Sequence, residues 1–207
     1  MKCSEDPPSP RRKTGRPLSF DRDAALEQAM LTFWRYGYET TSIVDLTTAM
    51  GVTAPSLYAA FGGKRALLHR SLKRYSEQGV RRITAALARP GPVRGAIADF
   101  VSDLIDGIVA GPGRRGCFLG NSAAELASRD RATAARVQRS LRRVEATFRA
   151  ALARGQERGE IAATADLDSL ARFLVAAIQG LRLVGKANPD RAALENIKIV
   201  MLRCLGN

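Results

Sequence analysis

The sequence predicts an all-α chain, with an N-terminal three-helix unit followed by a larger C-terminal helical domain and about nine helices in total. Three observations predict this. Apolar residues recur at three- and four-residue steps from Asp21 onward, strand-like alternation is absent, and Pro/Gly clusters cut the pattern into helix-length pieces. The chain has 207 residues, 45% hydrophobic and 26% charged, a balance that permits a sizeable core without disulfide or metal staples.

Each element follows from local signals. Residues 1–20 carry Pro7, Pro8, Pro10 and Pro17 among charges and read as a flexible, extended basic arm. Asp21 is the expected cap of a first helix whose buried stripe runs through Ala25, Leu26, Ala29, Met30, Phe33 and Trp34 and stops at Gly37. Thr41 and Ser42 offer caps for a short helix ending at Met50-Gly51. A second short helix begins near Ala54-Pro55 and ends at Phe61, before Gly62-Gly63. These elements make up a unit over residues 21–67. A connecting helix follows over 68–89, broken at Arg89-Pro90-Gly91-Pro92, and residues 90–207 form the second domain. Helices are expected there near Val93–Ala110, Phe118–Ser128, Arg131–Arg158, Asp166–Lys186 and Pro189–Leu205, with a Gly-rich loop over residues 111–116.

Charge narrows the class of partner. Lys+Arg number 33 against 20 Asp+Glu, a net charge of +13, which points to a polyanion. The excess is denser in residues 1–89, with 15 basic and 8 acidic side chains, than in residues 90–207, with 18 and 12. Cys3, Cys117 and Cys204 make no CxxC pair, which fits a reducing cytoplasm. His69 is the one histidine, so no His-based metal site is expected. No Gly-rich phosphate loop, carboxylate pair or nucleophile–base set stands out, so neither a cofactor nor catalysis is expected. No apolar run reaches the ~18–20 residues of a membrane span, and the polar, Pro-rich N-terminus lacks the apolar region of a signal peptide.

The stretch from Thr41 to Tyr58 carries the main inference. Gly51 allows a sharp turn between two short helices, small Ala49 permits their close approach, and Leu46, Val52 and Leu57 fill the angle between them. The second helix then presents Thr53, Ala54, Ser56, Tyr58 and Ala59, short or flat-tipped side chains suited to a major groove. Gly37-Tyr38, Thr41-Ser42-Ile43, Asp45-Leu46, Gly51-Val52, Ser56-Leu57-Tyr58, Phe61, Lys64 and Leu67 together resemble the DNA-binding domain of the TetR family of bacterial one-component regulators, over residues 16–70 without a gap. The resemblance implies phosphate contacts from Thr41, Ser56 and Lys64, a DNA contact from Ser42, and from Tyr58 either a phosphate contact through its hydroxyl or a thymine-methyl contact through its ring. It places Thr53, Ala54, Pro55 and Ala59 towards base edges. None of these four makes the bidentate guanine contact of an arginine, which shifts weight to methyl contacts and DNA shape. The arm ending in Gly15-Arg16-Pro17 is similar to arms that lie in a minor groove, with a solvated basic tail as the alternative.

For the second domain the resemblance implies a homodimer and a pocket for a small-molecule inducer, with double-stranded DNA released when the inducer binds. The last two helices are the expected dimer face, through Leu170, Leu174, Ile178, Leu181, Ile197, Val200, Met201 and Cys204, with Gly180 allowing close approach. The expected pocket draws on apolar Phe100, Leu104, Ile108, Phe118, Phe148 and Phe173, and on Cys117, Asn121, Glu125 and Gln179. Activation in place of repression uses the same contacts. Cys117, after Arg114-Arg115-Gly116, admits a thiol-based redox sensor as an alternative to a packing cysteine. A basic protein lying on an anionic membrane accounts for the charge but not for the Gly51 turn.

Overall fold

A computed structural model describes residues 20–206. The proposed minor-groove arm, Arg16 included, lies outside the described residues. Among these residues the elements are α1 (Arg22–Tyr36), α2 (Ile43–Met50), α3 (Ala54–Phe61), α4 (Lys64–Leu87), α5 (Val93–Val109), α6 (Phe118–Leu126), α7 (Arg131–Glu157), α8 (Leu167–Ala187) and α9 (Arg191–Arg203), with one 3-10 turn at Pro112–Arg115 and no strand.

Helix starts fall where the sequence places an acceptor. Asp21, Asp130, Asp166 and Asp190 each accept amides of the following first turn, where a carboxylate also meets the positive end of the helix dipole. The C-terminal stop of α1 is Gly37, and that of α3 is Gly62 in the left-handed region.

Two cores stack along α4, whose 24 residues extend ~36 Å. The first collects Met30, Phe33, Leu46, Leu57 and Phe61 from α1–α3 and Leu67, Leu68 and Leu72 from the start of α4. It also takes Phe118 and Leu126 from α6 and Val137 from α7, so the second domain helps to fill it. The second core packs α5, α7, α8 and α9 around Ile97, Ile105, Phe148, Leu152, Leu174 and Leu181, with Ile83, Ala86 and Leu87 from the far end of α4. Full burial of one such side chain contributes about 1.5–3 kcal/mol, so either core far outweighs the surface ion pairs. A division at 67–68 therefore lies inside a continuous helix, and α4 belongs to both cores.

Candidate nucleic-acid interface and ligand cavity

Two caps and one left-handed glycine build the reading unit. The Ser42 hydroxyl accepts from the Asp45 amide at 3.1 Å, and the Asp45 carboxylate accepts from the Ser42 amide at 2.7 Å. The serine hydroxyl also donates to that carboxylate, which holds it below the usual carboxylate range. Gly51 adopts φ 64° and ψ 35°, and its amide and that of Val52 close onto Thr48 and Thr47. Among the described residues no atom lies within 4 Å of a Cβ placed on Gly51, so the requirement there is conformational rather than spatial. Thr53 then caps α3, accepting from the Ser56 amide at 3.4 Å.

The two faces of α3 divide cleanly. Leu57, Ala60 and Phe61 point into the first core. Thr53, Pro55, Tyr58 and Ala59 are exposed, Ala54 and Ser56 are half-buried, and exposed Ser42 stands at the start of α2. Tyr58 is 54% exposed, with its ring lying over Gly63. Lys64 opens α4 beside them, its ammonium 4.4 Å from the centre of the Tyr38 ring. Thr41 departs from expectation. It is 1% exposed and its hydroxyl donates to the Gly37 carbonyl at 2.5 Å, so it closes the α1–α2 turn rather than facing a phosphate.

Two carboxylates of the second domain clasp this unit. Glu125 on α6 accepts the Tyr38 amide at 3.0 Å and the Glu39 amide at 2.8 Å. Gly37 has a φ of 86°, which favours glycine, and a Cβ there would come within 3.1 Å of the Glu125 carboxylate, which would have to shift to admit it. Asp130 takes a two-pronged bond from Arg65 on α4, at 3.1 and 2.7 Å, while capping α7. The Arg65 bond, with those from Thr133, keeps Asp130 far below the carboxylate range. His69 lies beside this clasp, 3.1 Å from the Thr133 hydroxyl, and burial together with nearby Arg136 lowers its pKa. No cluster among the described residues has the makings of a metal site.

A cavity of about 450 Å³ opens between α4, α5, α7 and α8. Of the residues expected in a pocket, Phe100, Leu104, Cys117, Phe148 and Gln179 line it. Four other expected pocket residues serve elsewhere. Phe118 packs edge-on against Tyr75 in the first core, and Ile108 is sealed in the second beside Gly185. The Asn121 amide donates to the Arg115 carbonyl, and Glu125 holds the clasp. Phe173, the fifth, faces outward on α8.

Tyr75, Ser76 and Arg182 also line the cavity, and the sequence reading missed them. The Arg182 guanidinium donates to the Tyr75 hydroxyl at 3.2 Å, and that hydroxyl donates towards the Cys117 sulfur at 3.8 Å. Burial, reinforced by Cys117, pushes the Tyr75 pKa up to about 12, so the phenol stays protonated. An arginine flanked by Leu181 and Leu183 in an apolar helix was the available signal.

The outer face of α8 and α9 differs in detail from expectation. Leu174, Ile178, Leu181 and Met201 point inward and belong to the second core, because their helical phase meets α5 and α7. Val200, one of the expected face residues, is 57% exposed, and Phe173, Leu183 (69%) and Val184 on α8 and Ile199 on α9 are exposed with it. Phe173, Ala177, Ile197 and Val200 share one apolar groove, and Leu170 and Cys204 line its continuation. Gly180 lies on the same exposed stripe.

A capped two-helix turn that exposes one helix, clasped to a helical domain with a deep cavity, defines a helix-turn-helix transcriptional regulator. Comparison with known proteins agrees. The family model for bacterial regulatory proteins of the tetR family matches residues 25–70, and that for the tetracyclin repressor-like C-terminal domain matches residues 95–201. The chain is 35% identical over 196 residues to the HTH-type transcriptional repressor ComR of Escherichia coli (strain K12), covering 93% of this chain and 92% of ComR. It is 31% identical over 192 residues to the uncharacterized HTH-type regulator YezE of Bacillus subtilis (strain 168), covering 92% and 99%. Its fold superposes with a TM-score of 0.82 on a cysteine mutant of the TetR family regulator CifR complexed with a 26-bp operator duplex, at 31% identity over 92% of this chain and all of that one. The chain belongs to the TetR family. No helix among the described residues is long and apolar enough to cross a membrane.

Proposed function

We propose that the chain acts in the cytoplasm as a homodimeric repressor, not as a catalyst, and leaves a palindromic operator when a small molecule occupies the cavity. One observation carries the reading. The short α6 segment touches both sites, since Cys117 and Leu119 at its start line the cavity while Glu125 near its end holds the amides of Tyr38 and Glu39 just before α2. A molecule that binds better to a shifted α6 draws the population towards an arrangement in which α3 no longer fits DNA. A coupling of about 1–3 kcal/mol changes occupancy roughly five- to 150-fold. The exposed stripe of α8 and α9 supports a twofold pairing of two such chains, and the repressor and operator-bound relatives support the DNA partner. Within this reading, Ser42, Ser56, Tyr58 and Lys64 contact phosphates, and Thr53, Ala54, Pro55 and Ala59 meet base edges.

Selection of bound duplexes from a random pool tests it. The expected result is inverted half-sites about one helical turn, roughly 34–36 Å, apart. Enriched duplexes without twofold symmetry overturn the dimeric reading. A reporter driven from the selected operator falls on co-expression of the chain, and a rise identifies an activator.

A further inference from the structure

The wall of the cavity carries more positive than negative charge, with Arg82 and Arg89 at its exposed rim and Arg182 half-buried. Arg82, Arg89 and Arg182 face it against one acid, Asp103. Asp103 pairs with Arg89 at 3.8 Å, near the end of α4. Towards the other end, Arg182 has no carboxylate within ion-pair distance among the described residues, and its Nε is buried without any partner. The Ser76 hydroxyl is also buried without a partner, on a residue 3% exposed that lines the same space.

The Arg182 guanidinium is half-buried with its Nε sealed from solvent, and it cannot shed its proton, so leaving that N–H unpaired is costly. Its one hydrogen bond among the described residues, to the neutral Tyr75 hydroxyl, supplies a dipole and no charge. Apart from Gln179 and Cys117, the remaining wall is mostly hydrocarbon, including Ile83, Leu104, Leu141, Val144 and Phe148. From Tyr75 to Ala86 the wall follows α4 for ~16 Å, at 1.5 Å per residue. At about 30 Å³ per water-sized group, the volume admits roughly a dozen to fifteen non-hydrogen atoms.

We infer that the cavity binds a medium-sized amphiphilic carboxylate, with its anionic head on Arg182 and the Ser76 hydroxyl and its hydrocarbon body along α4. The planar guanidinium fork matches a carboxylate, and the charge of the wall selects against a cation. The inference names the ligand class of the inducer site and so rests on the regulatory reading above.

Decanoate, decanol and decyltrimethylammonium, all below micellar concentrations, test it on the full chain. Calorimetry reads binding, and anisotropy of a labelled operator duplex reads release. Decanoate is expected to bind at least about tenfold tighter than decanol, because charge-assisted hydrogen bonds are roughly twice as strong as neutral ones. The cation is expected not to bind. Arg182→Gln is expected to bring decanoate to the level of decanol while leaving decanol unchanged. Ser76→Ala is expected to weaken decanoate several-fold. Equal affinity of acid and alcohol for the native chain, or a decanoate preference that survives Arg182→Gln, overturns the inference, and the first comparison holds even if the variant fails to fold. Decanoate binding without operator release overturns the inducer reading alone. Operator release by decanol but not decanoate overturns the ligand class alone.

Discussion

Lys64 stands with its ammonium over the Tyr38 ring and 3.5 Å from the Glu39 carbonyl, beside the exposed face of α3. Those local contacts hold the charge at the edge of the reading surface without neutralising it. Lys64→Ala is therefore expected to weaken binding to all duplexes alike and to lower the salt slope by about one, measured by anisotropy from ~50 to ~200 mM salt. An unchanged slope removes Lys64 from the phosphate contacts. Asp130 allows a test by pH. Its pKa is lowered in the fold, chiefly by the bond from Arg65, so its stabilisation is complete above the unfolded carboxylate value of about 3.9 and fades as pH falls below that. Arg65 is 59% exposed, so solvent screening keeps the ion pair itself within about 1 kcal/mol. Asp130→Asn is expected to lower Tm at neutral pH, with a gap that narrows from about pH 4 towards pH 2. A gap independent of pH shows that the charge of the carboxylate is not what the substitution removes.

Helices were the most legible scale. Their ends announce themselves because a capping oxygen and a stop glycine act on their immediate neighbours, as Asp21, Ser42, Thr53 and Gly51 do. The direction in which an apolar helix faces is another matter. Along α8 one stripe contains Leu174, Ile178 and Leu181 and another contains Phe173, Leu183 and Val184, and periodicity is equally satisfied by both. Only packing against α5 and α7 decides which stripe is core. Glu125 was illegible for a related reason, since its partners are peptide amides 86 and 87 positions away that carry no side-chain signature. The Gly51 turn provides this scale's prediction. Gly51→Ala forces an L-residue into the left-handed region, at about 1–2 kcal/mol, and Gly51→Asn is expected to cost less. Thermal melts of the two variants check the order, and equal melts would place the cause elsewhere.

At the scale of the whole molecule, the exposed apolar stripe of α8 and α9 requires a cover. A double variant, Leu183→Asp with Val200→Asp, is expected to run as a monomer in light scattering and to lose operator affinity more than about tenfold, because each half-site is then bound alone. A dimer that persists would place the twofold axis on another face. The clasp at Glu125 has a consequence of its own. It grips main-chain N–H groups, and every residue except proline offers one. It therefore asks nothing of the side chains at positions 38 and 39. Changes on α3 that alter which bases are favoured leave that grip intact, so under the proposed coupling such a chain would gain a new address on the chromosome while still answering to the same chemical signal.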